Sequence, residues 1–283
     1  MQGLKTFCAG KVAVSLSLLV AAFGNLLSPV QAQVVTFQNL NSSMTVNVTQ
    51  GLGGMTSWSV DGVNQAAAQW VYFGIGSGPQ HPIDFLSATP TIAASPTNSL
   101  DVTYDNGSIS ARVKYTLTGG ASGSGISQFG ETIAFNNHSG TNLTLHLFDY
   151  SEFDLGGASD NNQNLQWVNT PPLASTNRFW QTVGSLSLTN TFTSVPNPTR
   201  YEANIDGSTL ASLLSGSAYT LNNQASAFGD VTGALEWDVT LANGAGLTIS
   251  KVVNLQVPEP SVAALLGLGL LLLRFVRGKT QKF

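Results

Sequence analysis

Three histidines are the residues of this sequence best suited to proton transfer at neutral pH. His81 precedes a proline in a predicted loop, His138 lies in a predicted turn, and His146 lies in mid-strand on the face of Thr144 and Phe148. A surface or strand-packing role explains each histidine better than catalysis does. The sequence also has no Gly-x-Ser-x-Gly elbow, no His-Glu-x-x-His pair and no Cys/His cluster for zinc. These patterns predict that the protein is not an enzyme and carries no cofactor.

Four carboxylates within twelve residues form the densest acidic cluster: Asp149, Glu152, Asp154 and Asp160. On a glycine-containing loop they could bind calcium, which accepts oxygen ligands in flexible geometry. The Asp-x-Asp-x-Asp-Gly pattern is absent, so a solvated acidic loop is the alternative.

A glycosidase would need two carboxylates several ångströms apart, and its candidates are spread along the chain. They are Glu131, Glu152, Glu202 and Glu236, which the sequence alone cannot pair. Tryptophans could provide platforms for stacking sugars, although aromatic residues also fill cores. Trp237 shares a face with Leu235 and Val239 and is predicted to be buried, whereas Trp167 and Trp180, near Pro171-Pro172, are candidates for exposure.

Charge excludes one class of partner. All 15 acidic residues lie between Asp61 and Glu259, and that region holds only five basic residues, a net charge of −10. Nucleic-acid binding needs a basic stripe that displaces counterions from phosphates, so the sequence predicts no nucleic-acid partner.

Residues 33–256 show the alternation of apolar and polar residues that is typical of strands with one buried face. The clearest runs are 45–49, 101–104, 109–117, 131–135, 143–148, 186–188, 235–241 and 247–255, separated by turns rich in Gly, Asn and Asp. The pattern predicts an all-β antiparallel β-sandwich of roughly ten or more strands. Strands 109–117, 126–135 and 143–148 are expected to form a meander, and short helices are possible at 63–70 and 207–214. Two smaller sandwiches joined near Pro171-Pro172 are the alternative.

The first 32 residues have the organisation of a secretory signal peptide. Lys5 and Lys11 precede an apolar stretch from Val12 to Leu27, and the small residues Val30 and Ala32 predict cleavage after Ala32. A retained membrane helix is the alternative. The only cysteine, Cys8, lies within this segment, so the expected mature protein can form no disulfide.

Residues 257–283 differ sharply from the body. Two prolines, Pro258 and Pro260, flank Glu259, and an uncharged apolar run follows from Val262 to Leu273. As a helix this run spans about 18 Å, short of a hydrocarbon core of about 30 Å unless flanking residues join it. The basic residues that end the chain predict a cytoplasmic tail and an outward-facing body; they are Arg274, Arg277, Lys279 and Lys282.

This order of motif, short apolar helix and basic tail resembles the PEP-CTERM sorting signal of Gram-negative bacteria. The resemblance implies processing by an exosortase, after signal peptidase has acted, and display at the cell surface or in an extracellular matrix. An uncut C-terminal membrane anchor is the alternative. The body, around 131–137 and 148–157, also resembles PEP-CTERM proteins, but this likeness implies no activity.

The sequence thus predicts three parts: a signal peptide (1–32), an extracellular sandwich (33–256) and a sorting signal with a transmembrane helix (257–283). The expected function is that of an exported surface or matrix protein with a structural or adhesive role, associated with exopolysaccharide. The alternative is a secreted carbohydrate-binding or carbohydrate-acting protein.

Overall fold

The computed structural model describes residues 33–49, 51, 53–93, 96–157, 162–168, 176–205 and 207–256. The predicted signal peptide and the predicted sorting signal, with its helix, lie outside the described residues. Among the described residues, no helix has the length and apolar character needed to cross a membrane.

Eighteen strands in the described residues form two antiparallel sheets. The first sheet, sheet A, contains β1 (Val34–Asn39), β2 (Ser42–Asn47), β3 (Gly54–Val60), β4 (Val63–Asn64), β5 (Ala68–Ile75), β6 (His81–Pro82), β11 (Leu143–Glu152), β15 (Arg200–Ile205) and β17 (Val231–Leu241). The second, sheet B, contains β7 (Thr91–Ile92), β8 (Ser99–Asp105), β9 (Ile109–Gly119), β10 (Ser127–Asn137), β12 (Gln163–Trp167), β13 (Thr176–Val183), β14 (Leu186–Val195), β16 (Ser226–Gly229) and β18 (Gly246–Gln256). A 3₁₀ helix (Ile83–Leu86) and one α-helix, α1 (Ser208–Leu213), complete the described elements.

Each sheet combines strands from distant parts of the chain. Sheet A runs β1-β2-β3-β5-β11-β17-β15, with β4 beside β3 and β6 beside β5, and sheet B runs β16-β12-β13-β14-β18-β10-β9-β8-β7. The sandwich prediction is confirmed, because alternate residues of both sheets bury their side chains in one shared core.

A connected network of aromatic rings occupies this core. Trp58 packs edge-on against Phe129 at a ring separation of 5.0 Å, and Trp167 packs edge-on against Phe179 at 5.1 Å. Trp237 is fully buried, as its face-sharing with Leu235 and Val239 predicts. Trp167 is also buried, so the prediction that it is exposed is wrong. Trp180, on the opposite face of the sheet, is 46% exposed.

Two local predictions are wrong for the same reason, which is that tertiary pairing overrides local pattern. The hairpin of β9 and β10 is present, but β11 does not extend it as a meander: β10 pairs with β18, and β11 pairs with β5 and β17. The predicted helix at 63–70 is instead the end of one hairpin and the start of β5. The predicted helix at 207–214 is confirmed as α1, although Gly207 rather than Ser208 occupies the N-cap position.

Candidate functional site

A histidine–aspartate pair lies on the outer face of sheet A. His146 of β11 is directly opposite Asp238 of β17, and its Nδ1 lies 2.5 Å from Oδ1 of Asp238. The side chains are 28% and 33% exposed. Both point away from the core because their neighbours along the strands, Leu145 and Leu147 for His146 and Trp237 for Asp238, point into it. With Nδ1 held by a carboxylate, Nε2 is the nitrogen of His146 that can exchange protons with a bound molecule.

Thr199 completes the support of this pair. Its hydroxyl donates to Oδ2 of Asp238 at 2.9 Å, and it lies just before β15, the next strand of the sheet. The Asp238 carboxylate therefore has one oxygen on the imidazole and the other on a hydroxyl. This arrangement fixes the orientation of the His146 ring.

A buried carboxyl group lies beneath the pair. Glu236 precedes Asp238 by two residues on the same face of β17 and is fully buried. Its Oε2 accepts the backbone N–H of Leu221 at 2.8 Å, whereas its buried Oε1 has no hydrogen-bond partner among the described residues. Ligand atoms of Glu236, Asp238 and His146 all lie within 4.8 Å of one another.

Burial raises the pKa of Glu236 to about 8, and the charge of Asp238 raises it further, while the Leu221 N–H and Arg200 oppose the shift. Glu236 is therefore a neutral acid at neutral pH. A protonated carboxyl beside an imidazole is a pairing of acid and base that proton-transfer enzymes use.

The polypeptide between Gly207 and Ala225 covers the sheet beside this cluster. Glu202 of β15 anchors it by accepting hydrogen bonds from the Tyr219 hydroxyl at 3.0 Å, from Thr209 at 2.5 Å and from the Asn222 N–H at 3.1 Å. The same segment supplies the Leu221 N–H that holds Glu236. Glu202 is thus saturated with donors and has a structural role, unlike Glu236.

The cluster of His146, Glu236 and Asp238 also has the composition of a metal site, because nitrogen and carboxylate ligands suit zinc and other transition metals. A second group of potential ligands joins Glu152, Asp154 and Asp230, whose carboxylate oxygens lie within 4.8 Å of one another. It includes two residues of the predicted calcium loop. Asp149 is not part of it, because its side chain points into the core, and Asp160 lies outside the described residues.

The other predicted site residues lie outside the cluster of His146, Glu236 and Asp238. His81 stacks on Phe85 with ring centres 4.5 Å apart, and the exposed His138 lies in a turn with Nε2 3.4 Å from Ser110 Oγ. Glu131 lies in the core. Trp180 stacks beneath the guanidinium of Arg178 at 5.2 Å from the ring centre.

The sequence pattern contained part of the site. Alternation places His146 on the outer face of one strand and, through Trp237, places Glu236 and Asp238 on the outer face of another. The strands are separated by 92 residues at the point where His146 meets Asp238, and nothing local indicates that they pair in this register. The cluster was therefore missed.

Comparison with known proteins finds the same fold in solved structures. No family model matches the chain, and no curated protein sequence is similar to it. Solved structures are similar in fold. They include a candidate aldose 1-epimerase from Escherichia coli K12, with 11% identity, a TM-score of 0.52 and coverage of 79% of this chain and 99% of that one.

Two further structures have the same kind of likeness. A galactose mutarotase related enzyme from Lactobacillus acidophilus has 8% identity and a TM-score of 0.52, over 79% of this chain and 97% of that one. A bacterial glucoamylase complexed with acarbose has 8% identity and a TM-score of 0.51, over 82% of this chain but only 35% of that one. At these identities the likeness establishes the fold.

This finding corrects the functional prediction. The expectation of a protein that is not an enzyme is contradicted by the likeness in fold to a candidate aldose 1-epimerase and to a galactose mutarotase related enzyme. The three similar structures are named for proteins of the class in the carbohydrate-acting alternative, and none is named for a structural or adhesive role.

Proposed function

We propose that this protein is an enzyme that acts on the anomeric centre of a sugar. The observation that carries the proposal is that the partly exposed His146–Asp238 pair and the buried Glu236 have ligand atoms within 4.8 Å of one another. The likeness in fold to a galactose mutarotase related enzyme supports it. Interconversion of sugar anomers requires only that one proton be removed and another returned, which is what this cluster can do.

In the proposed reaction, Nε2 of His146 accepts the proton of the anomeric hydroxyl. The pair of carboxyls, Glu236 and Asp238, holds one proton between them and returns it to the ring oxygen. The bond between the anomeric carbon and the ring oxygen breaks, which gives the open-chain aldehyde. Rotation about the adjacent carbon–carbon bond and reversal of the proton transfers then give the other anomer.

Glycoside hydrolysis is less well supported by the same geometry. The two carboxyl groups of a glycosidase are about 5–5.5 Å apart in retaining enzymes and about 6.5–9.5 Å apart in inverting ones. Glu236 and Asp238 have oxygens within 4.8 Å and adjacent positions on one strand face, and Glu236 is fully buried, so they are better placed to share a proton than to flank a glycosidic bond.

The test is polarimetry of freshly dissolved α-D-glucose and α-D-galactose with the full chain. We expect His146→Asn and Glu236→Gln each to lower the catalysed rate by about 100-fold or more, a usual loss for an acid or base. The wild-type rate should fall as pH rises above about 8, where Glu236 loses its proton. His138→Asn, which alters an exposed histidine outside the cluster, should have no effect. Wild-type protein that accelerates neither sugar, or an unchanged rate in both cluster variants, would refute the proposal.

We further propose that the enzyme is exported and processed by signal peptidase and exosortase, and that it works on sugars near the exopolysaccharide. The support is the signal-like segment 1–32 and the Pro-Glu-Pro motif with its apolar run and basic tail at 257–283. Mass spectrometry of the protein from its native cell reads both termini. A protein that still begins at Met1 would contradict export by this route.

A further inference from the structure

A lysine and two carboxylates are sealed inside the sandwich. Lys251 of β18 lies in sheet B, and its Nζ is 3.0 Å and 2.9 Å from the two carboxylate oxygens of Asp149, which comes from β11 of sheet A. Nζ also lies 2.7 Å from Oε2 of Glu131, on the neighbouring strand β10. All three side chains are fully buried.

The surroundings of this triad are largely apolar. The Phe192 ring centre lies 5.5 Å from Nζ of Lys251. The polar contacts are few: Gln69 donates to Oε2 of Glu131 at 2.9 Å, and Ser151 donates to Asp149 at 3.2 Å. Oε1 of Glu131 has no hydrogen-bond partner among the described residues. Removing three ionised groups from water is costly, and apolar residues of similar volume would often serve stability as well.

Burial and charge act in opposite directions on this triad. Burial lowers the pKa of Lys251, but the charges of Asp149 and Glu131 outweigh it and hold that pKa above its usual value, so the resting lysine is an ammonium that becomes an amine only by passing its proton to a carboxylate. Burial raises the pKa of Asp149 to about 7, and the charge of Glu131 raises it further, while Lys251 opposes the shift. In a medium of low polarity, passing one proton from the ammonium to a carboxylate removes two opposite charges at once. The products are a free amine and a carboxylic acid in contact, the reactants for an amide.

We propose that Lys251 and Asp149 form an intramolecular isopeptide bond, with Glu131 as the catalytic acid–base group. The lone pair of the neutral Nζ attacks the carboxyl carbon of Asp149. Glu131 accepts a proton from the attacking nitrogen and delivers it to the departing hydroxyl, and the carbon–oxygen bond breaks. One ammonium and one carboxylate become one amide and one water molecule, Glu131 is regenerated, and no oxidant or reductant takes part.

The position of the bond would make it a cross-link that stabilises the fold. It would join sheet A to sheet B across residues that are 102 positions apart in the chain. The only cysteine of the sequence is Cys8, so residues 33–256 have no disulfide that could do this. A covalent link closing a long loop restricts the unfolded chain, which stabilises a protein.

The experiment is proteolysis of the denatured, reduced full chain followed by mass spectrometry of the peptides. We expect one linked species containing Lys251 and Asp149, lighter than its two peptides by one water molecule, and no cleavage by trypsin after Lys251. Reading the result at the level of peptides makes it independent of processing at either end of the chain. Separate, unmodified peptides would overturn the proposal. So would a loss of water confined to the Asp149 peptide, which indicates cyclisation of the aspartate with its own backbone.

Two variants test the role of Glu131. Glu131→Gln keeps the shape but cannot shuttle the proton, so the linked peptide should disappear while the circular dichroism spectrum of the strands remains. Glu152→Gln changes a carboxylate on the same sheet as Asp149 but outside the triad, and it should leave the linked peptide intact. A linked peptide in Glu131→Gln at the wild-type yield would overturn the assignment of Glu131. If this variant fails to fold, the wild-type peptides still decide whether the bond exists.

Discussion

Two glutamates on neighbouring strands differ in the number of hydrogen-bond donors around them, and this difference separates a structural role from a chemical one. Glu202 and Glu236 are both buried on the outer face of sheet A. Glu202 receives hydrogen bonds from two hydroxyls and a backbone N–H. Glu236 receives the Leu221 N–H, whereas the negative charge of Asp238 and a hydrogen bond with Asp238 favour its protonated form. The same residue type is therefore an anchor in one place and a neutral acid in the other.

The neutral state of Glu236 predicts a dependence of stability on pH. The folded protein holds this proton with a pKa of about 8, whereas the ordinary value is 4.5. Folding therefore takes up a proton between these values, and the contribution of Glu236 to the free energy of unfolding falls as pH rises from about 4.5 to about 8. Glu236→Gln removes this contribution. The variant should gain stability relative to wild type by up to about 1.4 kcal/mol per pH unit in that range.

Urea denaturation of wild type and Glu236→Gln at several pH values measures the effect. The two curves of unfolding free energy against pH should converge toward the acid end and separate toward pH 8. Parallel curves would show that the carboxyl of Glu236 is ionised in the folded protein.

The segment from Gly207 to Ala225, which covers sheet A beside the cluster, depends on contacts with other parts of the chain for its stability. Helix α1 has only six residues, too few to persist alone. Leu213 and Thr209 of the helix are buried, and Gln80, which lies in the loop after β5, holds the part of the segment that follows the helix. The Gln80 amide donates to the Tyr219 carbonyl at 3.1 Å and accepts the Tyr219 N–H at 3.0 Å. Contacts from distant strands thus keep the Leu221 N–H on Glu236.

Gln80→Ala should loosen this segment. Loss of two hydrogen bonds by a buried side chain is expected to lower the free energy of unfolding by about 1–3 kcal/mol. Hydrogen exchange followed by mass spectrometry should show that exchange becomes faster than in wild type in residues 207–225, and changes less in the rest of the chain. Gln224→Ala, an exposed change in the same segment, should shift stability by no more than about 0.5 kcal/mol. Equal exchange rates in the Gln80 variant and wild type would contradict the anchoring role.

Prediction from sequence succeeded for elements and failed for their partners. The alternation that defines β9, β10, β17 and β18 is local, so the strands and the inward face of Trp237 could be predicted from it. The pairing of β11 with β17 depends on contacts 92 residues apart, and no local signal encodes it. In the segment 63–70 a local signal was present but misleading. Its alanines favour a helix, yet parts of the segment pair as strands of sheet A. The candidate site could not be predicted from the sequence, because His146 meets Glu236 and Asp238 only through the pairing of β11 with β17.

At the scale of the whole molecule, two tryptophans connect the sheets at different places. Trp58 of sheet A donates its indole N–H to Ser127 of sheet B at 3.1 Å, and Trp237 of sheet A donates to Ser194 of sheet B at 2.8 Å. Both indoles are fully buried. An indole N–H that loses its acceptor in such a place has no water to replace it. Replacing Ser127 or Ser194 by alanine therefore removes one such acceptor at one of two separate places between the sheets.

Ser127→Ala and Ser194→Ala should each lower the free energy of unfolding by about 1–3 kcal/mol, the cost of a buried donor left unpaired. Because both sheets share one core, each variant should shift a single unfolding transition of the full chain, seen at the same urea concentration by tryptophan fluorescence and circular dichroism. The double variant should lose the sum of the single effects to within about 0.5 kcal/mol, since the serines have no common partner. Two separate transitions, with each serine affecting only one of them, would instead mean two independently folding sandwiches, the arrangement that the Pro171-Pro172 junction left open.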